Sequence, residues 1–435
     1  MLTRWMVRLG LRTPEQRAWA TYDWANSAVQ CTIITAVFPV YFASVAAADL
    51  PPAVATERFA TATTLALSVV ALISPVLGAY ADVAGAKKRL LAVFLAVGVT
   101  STAAMVQIGE GEWLLAAVLF VITNIGVSGS FVFYDSLLPH IAGDEEMDRV
   151  SSAGYALGYL GGGTLLAVNL AWILQPSWFG LADAGAASRL SFLSVAIWWG
   201  VFAIPLLRRV PEPPVRARRA DGNAVAGAFR QLAATLQELR QYKQAFLMLV
   251  AFLVYNDGIG TIIRMAGPYG REIGLPQEGL IAAFVMVQFV GIPFAVMFGR
   301  LADRIGAKPS IFIALVVYVL ISLVGYFMTT IWEFFLLSFM VATVQGGSQA
   351  LSRSLFATMI PKHKTSEFFG FFGVFEKFAG IVGPLLFAAT VRLTGTSRAA
   401  ILSVIAFFVV GAALLSLVDV AEGQRAARAE PAGPA

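Results

Sequence analysis

The sequence predicts an all-α membrane protein of twelve transmembrane helices arranged as two equivalent six-helix halves, and three observations lead there. A soluble domain carries about a quarter charged residues, whereas this chain has 13% charged and 58% hydrophobic residues. The apolar residues recur in windows of about 20, each long enough to cross a hydrocarbon core of about 30 Å as a helix. These windows are rich in Leu, Ala, Phe and Gly and lack the period-two alternation of a lipid-facing barrel strand. Finally, one hydrophilic loop occurs twice. Gly78-Ala-Tyr-Ala-Asp82-Val-Ala-Gly85-Ala-Lys87-Lys88 returns as Gly299-Arg-Leu-Ala-Asp303-Arg304-Ile-Gly306-Ala-Lys308, displaced by 221 positions from 78 to 299 and from 82 to 303. A polar turn embedded twice in apolar surroundings predicts a repeat.

Taken in order, the first sixteen residues place Arg4, Arg8 and Arg12 on one face and Leu2, Trp5 and Leu9 on another, the pattern of a short interfacial helix. Thr13-Pro14-Glu15-Gln16 then supplies an N-cap, a proline in the first turn and a capping-box glutamine, and span 1 runs to about Ser44. Spans 2 to 6 are predicted over about 60–81, 89–108, 113–138, 150–174 and 189–207. Span 5 carries Gly154, Gly158 and Gly162 at four-residue spacing, a stripe suited to close helix packing. The N-terminal half is therefore 1–207, followed over 208–244 by a linker whose Val225, Phe229, Leu232, Leu236 and Leu239 recur as in an amphipathic helix. Spans 7 to 12 are predicted over about 245–269, 278–300, 309–329, 332–355, 366–391 and 397–418, giving a C-terminal half of 245–420. The alanine- and proline-containing end, 421–435, reads as a disordered tail.

With both termini inside, about 24 of the 31 lysines and arginines fall on cytoplasmic segments, a strong positive-inside bias. The net charge of +5 therefore reports topology, and no basic patch interleaved with aromatics points to nucleic acid. Cys31 stands alone in an apolar run, so neither a disulfide framework nor a metal cluster is expected. No phosphate-binding Gly-x4-Gly-Lys loop occurs, and no nucleophile has a base in reach by spacing. The expectation is a multi-pass protein of a bacterial inner membrane, monomeric, without cofactor, metal or enzyme activity.

More of the halves superpose. Thr32-Ile-Ile-Thr35 with Pro39 corresponds to Thr261-Ile-Ile-Arg264 with Pro268, and Gly129-Ser130 with Asp135-Ser136-Leu137 to Gly347-Ser348 with Arg353-Ser354-Leu355. The duplicated loop resembles the Gly-x-Leu-Ala-Asp-Arg-x-Gly-Arg-Lys motif of the major facilitator superfamily, and the resemblance implies that fold for the whole chain. Tyr22-Asp23-Trp24-Ala25-Asn26-Ser27 and Tyr255-Asn256-Asp257-Gly258 resemble signatures of the vacuole effluxer-like family, bacterial relatives of a fungal vacuolar amino-acid effluxer. Val29 departs from that pattern. The resemblance implies movement of a small solute, an amino acid among the candidates.

A charge within a span costs on the order of 2.5 to 3.5 kcal/mol to insert, so each needs a reason. Asp23, Asn26, Ser27 and Gln30 form a polar stripe on span 1, and Asp257, Thr261 and Arg264 one on span 7, with Asp257 near the midplane. Span 11 carries Glu376 and Lys377, and Gln345 and Gln349 lie deep in span 10. Two accounts stay open. In one, Asp257 or Glu376 exchanges a proton while Arg264 or Lys377 receives a carboxylate, since burial favours the protonated acid and a nearby cation the ionised one. In the other, Asp257 pairs with Lys377 and Glu376 with Arg264 only to hold spans 7 and 11 together. Gate residues are expected in the two loops, Gly78, Asp82, Lys87, Lys88, Arg89, Gly299, Asp303, Arg304 and Lys308, together with Asp135 and Arg353 at the cytoplasmic ends of spans 4 and 10, Asp135 pairing with Lys88 or Arg89. The prediction is a secondary transporter of a small solute with H+ as coupling ion. A non-transporting sensor or assembly factor on the same scaffold is the alternative.

Overall fold

The computed structural model describes residues 6–50, 52–213, 242–273, 275, 277–379, 382–394 and 397–429, and all regular structure among them is helical. The N-terminal half contains α1 (Pro14–Ala46), α2 (Pro52–Ala84), α3 (Lys87–Ala104), α4 (Trp113–Ile141), α5 (Met147–Leu174) and α6 (Ala184–Arg209). The C-terminal half contains α7 (Lys243–Glu272), α8 (Gln277–Ile305), α9 (Ala307–Phe327), α10 (Ile331–Thr358), α11 (Thr365–Phe378), α12 (Val382–Thr394), α13 (Ser397–Ser403) and α14 (Ile405–Ser416). Among the described residues, ten helices are long and apolar enough to cross a membrane. The two remaining predicted spans fall on α2 and on the pair α11 and α12.

Local chemistry explains the element ends. Gln16 N–H donates to Thr13 Oγ1 at 3.1 Å while Gln16 Oε1 accepts from Thr13 N–H at 3.2 Å, the reciprocal cap expected at the start of α1. Farther along, α1 widens into a π-helical stretch over Val29–Ala36. Pro39 follows it and has no N–H for the carbonyl four residues back, so the helix relaxes into i to i−5 bonds such as Val37 N–H to the Thr32 carbonyl at 2.8 Å. In both copies of the duplicated loop the second glycine turns the chain out of a helix at positive φ, +60° at Gly85 and +90° at Gly306, a conformation a side chain would strain.

Span 11 is predicted as one helix, but it is two. The first piece, α11, ends at Phe378, where the Ala379 N–H bonds the Phe375 carbonyl at 2.9 Å, and Val382 begins the second, α12, with Pro384 in its first turn, where no N–H is needed. The predicted disordered tail is also corrected where it is described: Val420–Ala429 is a helix, α15. Alanine-rich sequence favours helix, Asp419 Oδ1 caps it by accepting from Glu422 N–H at 2.9 Å, and Arg428 pairs with Asp144 at 2.6 Å. The predicted amphipathic helix of the linker lies outside the described residues. Arg208 and Arg209 end α6, and Glu212 just beyond accepts from the Lys88 backbone N–H at 3.0 Å.

Within the N-terminal half α1 packs on α5 and α6, and α4 on α2 and α3; in the C-terminal half α10 packs on α8 and α9, and α7 on α14. The halves meet through α2 against α11 and α5 against α8 and α10. The glycine stripe of α5 lets α1 come close. A Cβ at Gly154 would stand 2.5 Å from Asp23 Oδ2, and one at Gly158 would stand 2.6 Å from Ser27 Oγ.

Candidate functional site

Between the halves, carboxylates from α1 and α4 meet a guanidinium from α10. Arg353 Nη1 donates to Asp135 Oδ1 at 3.1 Å, and Nη2 lies 3.5 Å from Asp23 Oδ2. The other donors serve α5: Nε donates to Ser151 Oγ at 2.9 Å and Nη2 to the Ser151 carbonyl at 3.0 Å. Arginine holds its charge under all ordinary conditions, so a side chain only 3% exposed must be balanced where it lies. Aromatic faces add to that balance, with Tyr155, Trp19 and Tyr134 centred 4.6, 5.0 and 5.7 Å from the guanidinium carbon. Tyr134 Oη donates to Asp23 Oδ2 at 2.7 Å, and Trp19 Nε1 donates to the Tyr134 carbonyl at 2.9 Å, which fixes both rings around the cluster.

This cluster borders a cavity of about 350 Å³ lined from both halves. Asp23, Ser27, Gln30 and Thr35 line it along α1, a run of about 18 Å at helical rise. Tyr155 and Tyr159 face it from α5, Gln288 from α8, Gln345 and Gln349 from α10, and Glu376 from α11. An adjoining apolar pocket of about 120 Å³ inside the C-terminal half shares Ile263, Phe284, Gln288 and Gln345 with it. Another cavity of about 620 Å³ lies beside Asp148, Lys308 and Val418, at the loop end and away from the charge cluster.

Toward the loop end the halves are bolted together. Lys87 Nζ pairs with Asp82 at 2.8 Å and donates to Thr365 Oγ1 of α11 at 2.6 Å, with His140 Nε2 3.2 Å away. Ser366 N–H donates to Asp82 Oδ1 at 3.3 Å, and Ser366 Oγ donates to Ser136 Oγ at 2.9 Å. The second loop copy is built differently. Asp303 stands 3.9 Å from Arg149 of α5, Lys308 Nζ donates to the carbonyls of Ser416 and Val418 at 2.8 and 2.7 Å, and Gly299 packs where a Cβ would meet Ser152 at 2.8 Å. Ser354 Oγ, next to Arg353, donates to Asp148. Gly78 is buried, whereas Arg89 and Arg304 are exposed.

The structure thus redistributes the predicted residues. Asp23, Gln30, Gln345 and Glu376 line the cavity, and Asp135 and Arg353 join them. Asp135 pairs with Arg353 instead of with Lys88 or Arg89, because equivalent positions of a parallel repeat converge on the axis relating the halves. Asn26 is fully buried off the cavity, and neither polar atom of its side chain has a hydrogen-bond partner. Asp257 also lies off the cavity: its Oδ2 accepts from Gly383 N–H at 2.9 Å, at the start of α12, and Oδ1 has no hydrogen-bond partner. Thr261 lines the apolar side pocket, and Arg264 is exposed. The side chain of Lys377 lies outside the described residues. Trp19, Tyr134, Ser151 and Ser74 were not foreseen. Aromatics and serines inside apolar spans carry no insertion cost large enough to single them out.

Comparison with known proteins agrees with this architecture. Residues 51–428 match the family described as vacuole effluxer Atg22 like. The MFS-type transporter YxiO of Bacillus subtilis is 39% identical over 409 residues, covering 93% of this chain and 95% of its own. Autophagy-related protein 22 of Yarrowia lipolytica is 27% identical over 312 residues, and the match takes in 64% of this chain but 51% of that longer protein. Among solved structures, the proton:xylose symporter XylE superposes with a TM-score of 0.71 at 15% identity over 94% of this chain and 96% of its own. FucP in its outward conformation does so with 0.64 at 13% identity over 93% and 98%.

Proposed function

Because the chain belongs to the vacuole effluxer Atg22-like family, we propose that this multi-pass transporter of the major facilitator type moves a solute of amino-acid size by alternating access, coupled to protons at the Asp23–Arg353–Asp135 cluster. One observation carries the proposal. The buried cation that bridges the halves is also the charge exposed to the cavity between them. A proton arriving on Asp135 removes one of the two anions that hold Arg353. The bridge from α10 to α4 then weakens, and the halves are free to part at the loop end. Asp23 and Ser151 keep the guanidinium satisfied meanwhile, so no bare charge is left in the interior.

The positive-inside bias supports a cytoplasmic location for the loops and both termini. On that orientation, the bolting of the loop end by Lys87, Asp82, Thr365 and Ser366 supports an outward-facing conformation. Asp135→Asn tests the proton role. In proteoliposomes it is expected to exchange saturating solute at near the parental rate while losing at least about 90% of accumulation driven by a pH gradient. Accumulation at the parental level would remove the proton from Asp135, and an absence of solute flux in the parental protein would favour a sensor on the same scaffold.

A further inference from the structure

We infer that the central cavity recognises its solute through a positively charged nitrogen, an ammonium or amidinium group, and not through a carboxylate. This deepens the transporter reading above and rests on it. Three carboxylates line the cavity, Asp23, Asp135 and Glu376, against one cation among the described residues, Arg353. The guanidinium is already committed to Asp135, Asp23, Ser151 Oγ and the Ser151 carbonyl. While Asp135 is ionised, a solute carboxylate reaches it only by displacing a protein carboxylate, which leaves a buried anion without its counter-charge. A solute cation meets no such obstacle. The bond to Arg353 uses only Oδ1 of Asp135, and Glu376 lines the same space from the opposite half.

A second feature marks where the solute sits. Ser74 of α2 is 3% exposed, lines the cavity, and its Oγ has no hydrogen-bond partner. A serine buried in a helix ordinarily bonds back to a carbonyl of the preceding turn, as Ser322 does to Tyr318. Its hydroxyl keeps both its donor and its lone pairs for a bound solute, and the side-chain amides of Gln30 and Gln345 in the same wall likewise both donate and accept. The apolar side pocket that shares Gln345 and Phe284 receives a hydrocarbon portion of the solute.

Binding to the purified full-length chain by isothermal titration tests this with three probes of one shape: phenylethylamine, phenylalanine and phenylpropionate. The amine is expected to bind at least about tenfold more tightly than the carboxylate, with the zwitterion between them. Glu376→Gln should weaken the amine by at least about tenfold with phenylpropionate unchanged or improved, and Ser74→Ala should weaken the amine by about threefold. Ser74 Oγ has no bond within the protein to lose, so Ser74→Ala remains informative if Glu376→Gln misfolds. Phenylpropionate binding as tightly as the amine, no probe binding, or amine affinity untouched in folded variants would each overturn the assignment. Flux in proteoliposomes separates the two readings. Transport of the carboxylate in preference to the amine keeps the transporter and sinks the ammonium site; an amine that binds without any flux does the reverse.

Discussion

Arg353 illustrates what a sequence gives at the scale of a residue. Its charge was legible, because a guanidinium in a span is too costly to be incidental, and so was its kinship with Asp135. Its partner was not, because counting along a helix gives depth and leaves open which neighbour a side chain turns to. Asp257 is the converse case. Its depth near the midplane points to a proton site, yet Asp257 Oδ2 accepts from Gly383 N–H in the first turn of α12, the place of a helix cap. Asp257→Asn keeps an acceptor there and is expected to retain more than about half of pH-driven accumulation, whereas Asp257→Ala should lower stability by about 1 to 2 kcal/mol. Thermal unfolding in detergent and flux measured on the same preparations check both, and loss of coupling in the asparagine variant would return the proton to Asp257.

Among elements, the spans and their caps follow directly from composition, capping chemistry and glycine placement. The start of α12 is marked by a single proline with a glycine before it, which a hydropathy window averages away. Helix α15 was lost for a related reason, since a composition rich in alanine with a proline at its end reads as a tail until Asp419 is recognised as its cap. The loop that occurs twice is not the same device twice. The first copy clamps α2 to α11 through buried Asp82 and Lys87, and the second touches α5 through a half-exposed, longer pair. Lys87→Met is therefore expected to open the loop end, and the equivalent Lys308→Met to leave it closed. Distances between spin labels at the loop ends of α2 and α11 should lengthen by several ångströms in the first variant only. Equal opening in both would mean the copies share the load.

For the whole molecule, the repeat was the most informative reading, since it supplied the two halves and the order of their helices. It did not reveal that Asp135 and Arg353, equivalent by that repeat, touch each other at 3.1 Å. Removing the arginine, as in Arg353→Met, should destabilise the protein by about 3 to 5 kcal/mol, because Asp23 and Asp135 are left buried without their cation. Exchanging them in one variant, Asp135→Arg with Arg353→Asp, should recover only part of that loss: the charges match again, but Ser151 and the rings of Trp19 and Tyr155 remain placed for an arginine on α10. Full recovery of the unfolding temperature would show that charge alone, without the cradle, holds the halves.

Two copies of one six-helix unit docked about a two-fold axis would present the same side chain to itself at that point. Aspartate would face aspartate, or arginine would face arginine, a repulsion of several kcal/mol between buried like charges. With opposite signs on the axis, neither half tolerates its own twin, and only unlike halves close. The residues assigned to the proton thereby also decide the pedigree of the partner: each half is a misfit with its sibling, and the molecule is built as an obligate couple.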